Sequence, residues 1–227
     1  MKKTICALTI LSAVSLPAMA AVDVIVTGTI TPAACTLNLP GLKTIDYGKI
    51  SPTLLDATNY TKLGEQQIDI ALKCDALAKM GLKVVNKRPN TMAGVTEGVS
   101  GAGRAPVSLF GVTSTDGAGL GEADSKKIGG YGVRLVPGSI QVDANSVDVI
   151  SKGAGETAWV KNDTGSMYLA TKERHVSWAT TKTVVPVAFE EMTAKLGVEA
   201  YINKKSELDL SKDITLDGLT TIELVYL

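Results

Sequence analysis

A period of two runs through this chain and limits it to folds made of sheet. Val22, Val24, Val26, Gly28 and Ile30 alternate with Asp23, Ile25, Thr27 and Thr29. Ile68, Ile70, Leu72 and Cys74 alternate with Asp69, Ala71 and Lys73, and Ile222, Leu224 and Tyr226 alternate with Thr221, Glu223, Val225 and Leu227. Successive side chains of an extended chain point to opposite faces, so each run has one apolar face to bury. Leu82–Asn86, Val107–Val112, Tyr131–Val136, Ser146–Ile150 and Thr183–Phe189 are further strand candidates. Turn signals separate them at Gly41, Pro89-Asn90, Asp116-Gly117, Gly129-Gly130, Pro137-Gly138 and Asp217-Gly218. Helical spacing is scarce: Phe189, Met192 and Leu196 would make one turn, and core packing explains them better. Many short strands with Gly-rich turns predict an all-β sandwich or barrel, with a one-disulfide Greek-key sandwich preferred. The Gly-rich stretches 94–103 and 117–121 read as surface loops. No Walker lysine or strand–helix context makes them a phosphate cradle.

The amino end reads as an export signal. Lys2 and Lys3 precede an apolar run from Ile5 to Leu16, then Pro17 and Ala18-Met19-Ala20. Small residues stand where a signal peptidase reads, so residues 1–20 are expected to leave and 21–227 to form a single domain. The run is too short to span a bilayer, and no later stretch is long and apolar enough to predict a membrane span. Lysines and arginines balance aspartates and glutamates at 23 each. With no basic cluster and no basic amphipathic helix, nothing points to nucleic acid or a membrane surface. Of the 3 cysteines, Cys6 falls in the signal. Cys35 and Cys74 remain as an even pair in a chain bound for an oxidising compartment, so a disulfide is expected, with two free buried thiols as the alternative. Neither belongs to a C-x-x-C motif, which argues against zinc or redox chemistry.

Catalytic constellations are not legible, and the chain is read as no enzyme, with no cofactor and no metal site. His175 is the only histidine, and no nucleophile elbow accompanies it. Glu190 and Glu191 would face opposite ways in a strand, whereas paired-carboxylate chemistry needs convergence. Asp116-Gly117 and Asp124 do not follow calcium-loop spacing. Trp159 and Trp178 are expected in the core, with sugar stacking as the other role open to them.

Three places resemble chaperone–usher fimbrial subunits. Gly28-Thr29-Ile30-Thr31-Pro32-Ala33-Ala34-Cys35 looks like their first strand, Cys74 ends an alternating strand as their second cysteine does, and Tyr226 is a penultimate tyrosine on an alternating last strand. Tyr47-Gly48-Lys49, Leu109-Phe110-Gly111 with Lys127-Ile128-Gly129, and Ile214-Thr215-Leu216-Asp217-Gly218 are similar to a narrower group. This is a family of enterobacterial fimbrial-like periplasmic proteins that has no defined function and includes the glutamate-synthase-operon F protein.

The resemblance implies an immunoglobulin-like, pilin-type sandwich lacking its last strand. A periplasmic chaperone lends that strand, and the next subunit's extension later replaces it, on the way through an outer-membrane usher to a surface fimbrium. In such β-strand addition, backbone hydrogen bonds give affinity and side-chain pockets give register. Ile222, Leu224 and Tyr226 would line the edge beside the groove, and the carboxylate of Leu227 would meet basic chaperone residues. Partners would be chaperone, usher, other fimbrial subunits and, in cell adhesion, a host receptor. The chain departs from the pattern at its start, where only Ala21–Thr27 precedes Gly28. Val22, Val24, Val26, Gly28 and Ile30 are therefore either donor knobs or a first strand of the chain's own sheet. The second reading makes the protein a tip, a terminator or a non-polymerising relative. A self-contained periplasmic binding or regulatory sandwich is the alternative function, with the Gly-rich loops as its surface.

Overall fold

The computed structural model describes residues 33–41 and 44–227. The expected strand Val22–Ile30 and the export signal lie outside the described residues. Seven principal strands carry the fold: β1 (Cys35–Asn38), β2 (Gln66–Asn86), β3 (Gly129–Leu135), β4 (Asn145–Gly153), β5 (Arg174–Thr180), β6 (Ala188–Ile202) and β7 (Thr220–Tyr226). The described residues include only two 3-10 turns besides sheet and loop. The fold is all-β and sandwich-like, with one disulfide joining Cys35 to Cys74.

The long strand β2 organises both layers. Its first half pairs with β1 (Cys35 opposite Cys74, Asn38 opposite Ala71) and with β6, which in turn pairs with β3. Its second half pairs with β7, residue by residue from Tyr226 opposite Met80 to Thr220 opposite Asn86. On its other side it meets β5 at Leu82–Val176, and β5 pairs with β4. The change of partners falls at an irregularity where the β2–β6 register shifts between Phe189 and Glu191. A bulge bends a strand, which lets one strand serve both layers. Leu82–Asn86 is thus the continuation of the 68–74 strand. Glu190 and Glu191 flank the bulge and are both exposed instead of facing opposite ways. Their backbone N–H groups both donate to Asp143.

Between the layers lies one core containing Leu72, Met80, Leu82, Leu135, Val176, Trp178 and Phe189. Trp178 is fully buried, edge-on to Phe189 at 5.2 Å. Trp159 is only half-buried, under the Lys152 ammonium at 5.0 Å, so the core expectation fails for it. The second half of β6 is buried on both faces. The segment from Met92 to Phe110 lies over its outer face, packing Met92, Ala93, Ala105 and Leu109 on Tyr201.

Four sequence expectations change here. Val107–Val112 is a loop closed by a Leu109–Val112 bridge. Thr183–Val187 is irregular chain with an isolated Pro186–Ala179 bridge, and the strand starts at Ala188. Asp116–Gly119 and Gly129-Gly130 are buried strand where turn or loop was expected. The reason is space: a Cβ on Gly129 would sit 2.0 Å from the Tyr201 carbonyl oxygen, and one on Gly119 2.2 Å from the Thr91 hydroxyl. These glycines let backbones approach closely.

Candidate functional site

The last strand borders an apolar groove. Among the described residues β7 pairs with β2 alone, so its other edge has no strand neighbour. The same holds for the edge of β1 away from β2. Between these two edges runs an open cavity of about 1280 Å³. Leu37, Leu39, Ile45, Tyr47 and Ile50 line one side, and Ile222, Thr220, Leu216 and Ile214 the other. Its floor is the inner face of β3 and β6, where Tyr131, Val133, Leu196, Val198 and Ala200 meet it.

Both flanks carry the alternation of a strand without a strand's partners. In residues 44–50, Ile45 and Tyr47 are half-buried while Asp46 and Gly48 are exposed. Leu208, Leu210, Ile214 and Leu216 are half-buried in the same manner between exposed residues. Among the described residues the backbone of 44–50 makes no hydrogen bond to another backbone group. Tyr47 is tied down by its side chain, its phenol donating to the Val198 carbonyl at 3.1 Å. Burial pushes that phenol's pKa up to about 12.

The edge strand is anchored at both ends, so the groove is preformed. At its start the Thr220 hydroxyl hydrogen-bonds the Tyr131 phenol at 2.6 Å and the Tyr168 phenol at 2.7 Å. Burial raises the pKa of both phenols, which keeps them neutral hydrogen-bonding groups. Arg88 forks onto the Asp217 carboxylate at 2.7 and 2.8 Å, and that hydrogen-bonded ion pair lowers the Asp217 pKa. At its far end the Leu227 N–H donates to the Lys79 carbonyl, and the Cys35 N–H reaches the Tyr226 hydroxyl at 3.4 Å.

Thr220 to Val225 are all half-buried, so burial along β7 does not alternate; Ile222 lines the groove and Leu224 does not. Tyr226 does not enter it: the ring is 58% exposed and its hydroxyl marks the end of the groove at Cys35. Leu227 is exposed beside it. Val22, Val24, Val26, Gly28 and Ile30 lie outside the described residues. Sequence reading missed the Leu208–Leu216 flank and the clasp on Thr220. The first had a signal, period two at Leu208, Leu210 and again at Ile214, Leu216. The clasp had none, because Tyr131, Tyr168 and Thr220 are far apart in sequence.

His175 is part of β5, its pKa lowered by burial. Among the described residues no three His, Cys, Asp or Glu side chains gather where a metal would sit. No helix of the described residues is long and apolar enough to cross a membrane.

Residues 24–132 match a family model described as "Protein of unknown function (DUF1120)". Over 254 aligned residues the chain is 27% identical to Protein GltF of Escherichia coli (strain K12), covering 100% of this chain and 99% of that protein. It is 24% identical over 233 residues to the uncharacterized protein YhcF of the same organism, covering 95% of this chain and 94% of that one. Among solved structures it is similar to the P pilus rod subunit PapA, at 12% identity and a TM-score of 0.32, over 85% of this chain and 99% of that one. That score is too low to equate strands. The chain is thus similar to GltF and YhcF along nearly its whole length and to the family model over residues 24–132.

Proposed function

We propose that this protein is a fimbrial-type subunit whose groove takes up a β-strand from another polypeptide. The observation that carries the reading is the apolar groove between the edges of β1 and β7 that have no strand neighbour among the described residues. An added strand finds, among the described residues, backbone without a strand partner on both sides and a floor for alternate apolar side chains, as β-strand addition requires. The free edges and apolar floor also make the unoccupied subunit a target for unwanted pairing, which is the physical need that a periplasmic chaperone meets. On this reading residues 1–20 are cleaved and 21–227 form a single exported domain. Chaperone, usher and sister subunits are its partners, the protein resides in the periplasm or on the surface in a fimbrium, and adhesion, not catalysis, is its use.

Deleting Ile222–Leu227 tests the reading. The truncated protein, produced in the periplasm with a candidate chaperone, is expected to lose both co-purification and accumulation. Unchanged recovery of the complex would remove the edge strand from the recognition surface.

A further inference from the structure

We propose that the outer face of β4 and β5 carries a site for a carboxylated sugar, built from Trp159, Lys152 and His175. This deepens the adhesive use proposed above; it rests on that reading and not on the groove. Val147, Val149, Val176 and Trp178 belong to the core, so the positions that alternate with them on the same strands face out. Lys152 and His175 are two such positions, and they stand directly opposite each other. Opposed side chains share a face at close range. The short strand Val160–Lys161 extends the sheet beyond β4, with Val160 opposite Ser151. Just before it, Trp159 brings its ring under the Lys152 ammonium at 5.0 Å. An aromatic face, a cation and an imidazole thus meet on one surface. All three side chains are only half-buried, and residues 155–158 beside them are exposed, so the place is an open platform.

The neighbouring charges are spent on one another, and these groups are not. Lys83, next to His175 across the β5–β2 pairing, is held by Glu173 at 3.2 Å and Glu223 at 3.3 Å. Lys172 pairs with Glu156 at 2.8 Å, and Lys161 with Asp163 at 2.8 Å. Among the described residues Lys152 has no carboxylate partner, and neither its ammonium nor the His175 ring makes a hydrogen bond. An ammonium over an indole is a weak contact at an exposed site, so a better partner displaces it. A carboxylate is that partner, through a charge-assisted hydrogen bond. A neutral imidazole offers one donor and one acceptor, which suits a hydroxyl. The indole face, uncovered as the flexible lysine turns to the carboxylate, takes an apolar surface. A sugar acid holds a carboxylate, hydroxyls and a face of C–H groups on one rigid ring. An acidic peptide matches the cation alone. The placement also fits an assembled subunit. Across this layer the strands run β7, β2, β5, β4 and then Val160–Lys161. The platform is therefore at the edge away from β7, and a strand seated in the groove leaves it open.

The test titrates the purified full chain with glucuronate, N-acetylneuraminate, glucose, acetate and a triglutamate peptide. Binding is read by NMR from the indole N–H signals of the two tryptophans. The expected result is a shift of the Trp159 signal with at least one of the two sugar acids while buried Trp178 stays still, with glucose and acetate at least about tenfold weaker. Lys152→Gln is expected to bring the sugar acid down to the affinity of glucose, and His175→Ala to weaken sugar acid and glucose alike, with the melting temperature of each variant reporting that the fold is kept. No shift of the Trp159 signal with either sugar acid overturns the inference, as does glucose binding as tightly as the acid or an undiminished affinity in Lys152→Gln. Triglutamate binding as tightly as the sugar acid overturns it too and makes the platform a site for acidic peptide. Each of these results leaves the groove standing, because the groove is judged by the Ile222–Leu227 deletion.

Discussion

At the scale of single residues, the disulfide and the groove phenol give the sharpest expectations. Cys35–Cys74 joins strands that are already paired, and closes a sequence separation of 39 residues. In the chain-entropy model a loop of that size is worth about 4 kcal/mol through the unfolded state. Cys35→Ala should lower the unfolding free energy of the mature protein by a few kcal/mol, read by urea titration, with a matching loss of periplasmic yield. Equal midpoints for the two proteins would deny the bond a stabilising role. Tyr47 makes a prediction about pH. Its folded pKa is raised by burial from 10.0 to about 12, so the folded state holds the proton more tightly than the unfolded. The associated stability is complete below pH 10 and is lost as pH rises toward about 12. Tyr47→Phe should flatten the alkaline fall in stability between those limits, seen as melting temperatures that converge with wild type at high pH. The sequence shows the cysteine pair plainly, because parity and compartment suffice to read it. It does not show the state of Tyr47, because that depends on Val198 and on burial between distant strands.

At the scale of elements, the strand period was a reliable guide wherever one face meets water and a poor one where both are covered. The first half of β2 alternates in burial and was legible as strand; β7 was legible from its sequence period, although its residues Thr220 to Val225 are all half-buried. The second half of β6, from Gly197 to Ile202, is buried without alternation, so neither its length nor its type could be read. The overlying segment from Met92 to Phe110 causes this by covering the outer face, and it also turned glycines that look like turn formers into strand residues. Gly129→Ala would place a methyl group against the Tyr201 backbone, 2.0 Å from its carbonyl oxygen. Backbone cannot yield as a flexible side chain does, so a loss of about 2 kcal/mol or more in urea-measured stability is expected. A neutral result would show that β3 and β6 separate more easily than their packing implies. The export signal and the first strand remain expectations of the sequence, since they precede the described residues.

For the whole molecule, the decisive property is the pair of edges, β1 and β7, that have no strand neighbour among the described residues, on either side of an apolar groove. Local stability should follow that layout. Amide exchange on the mature protein should be slowest in β2 and β6, which have strands on both sides over much of their length. The outward amides of β7 should exchange fast in any molecule whose groove is unfilled and slow when a strand lies there. Slow exchange along all of β7 in a sample shown to have an open groove would contradict the account.

The sequence by itself determined that this chain makes sheet, that Cys35 and Cys74 are available to each other, and that the last strand has one apolar face. Those properties are local, or follow from parity of spacing. Only the tertiary structure decided that β2 bends at a bulge to serve both layers, that residues 44–50 and 208–216 line the same groove without strand partners among the described residues, and that Tyr131 and Tyr168 close on Thr220. These depend on contacts between residues far apart in the chain, whose register is set by the packing of the two layers and leaves no periodic trace in either segment alone.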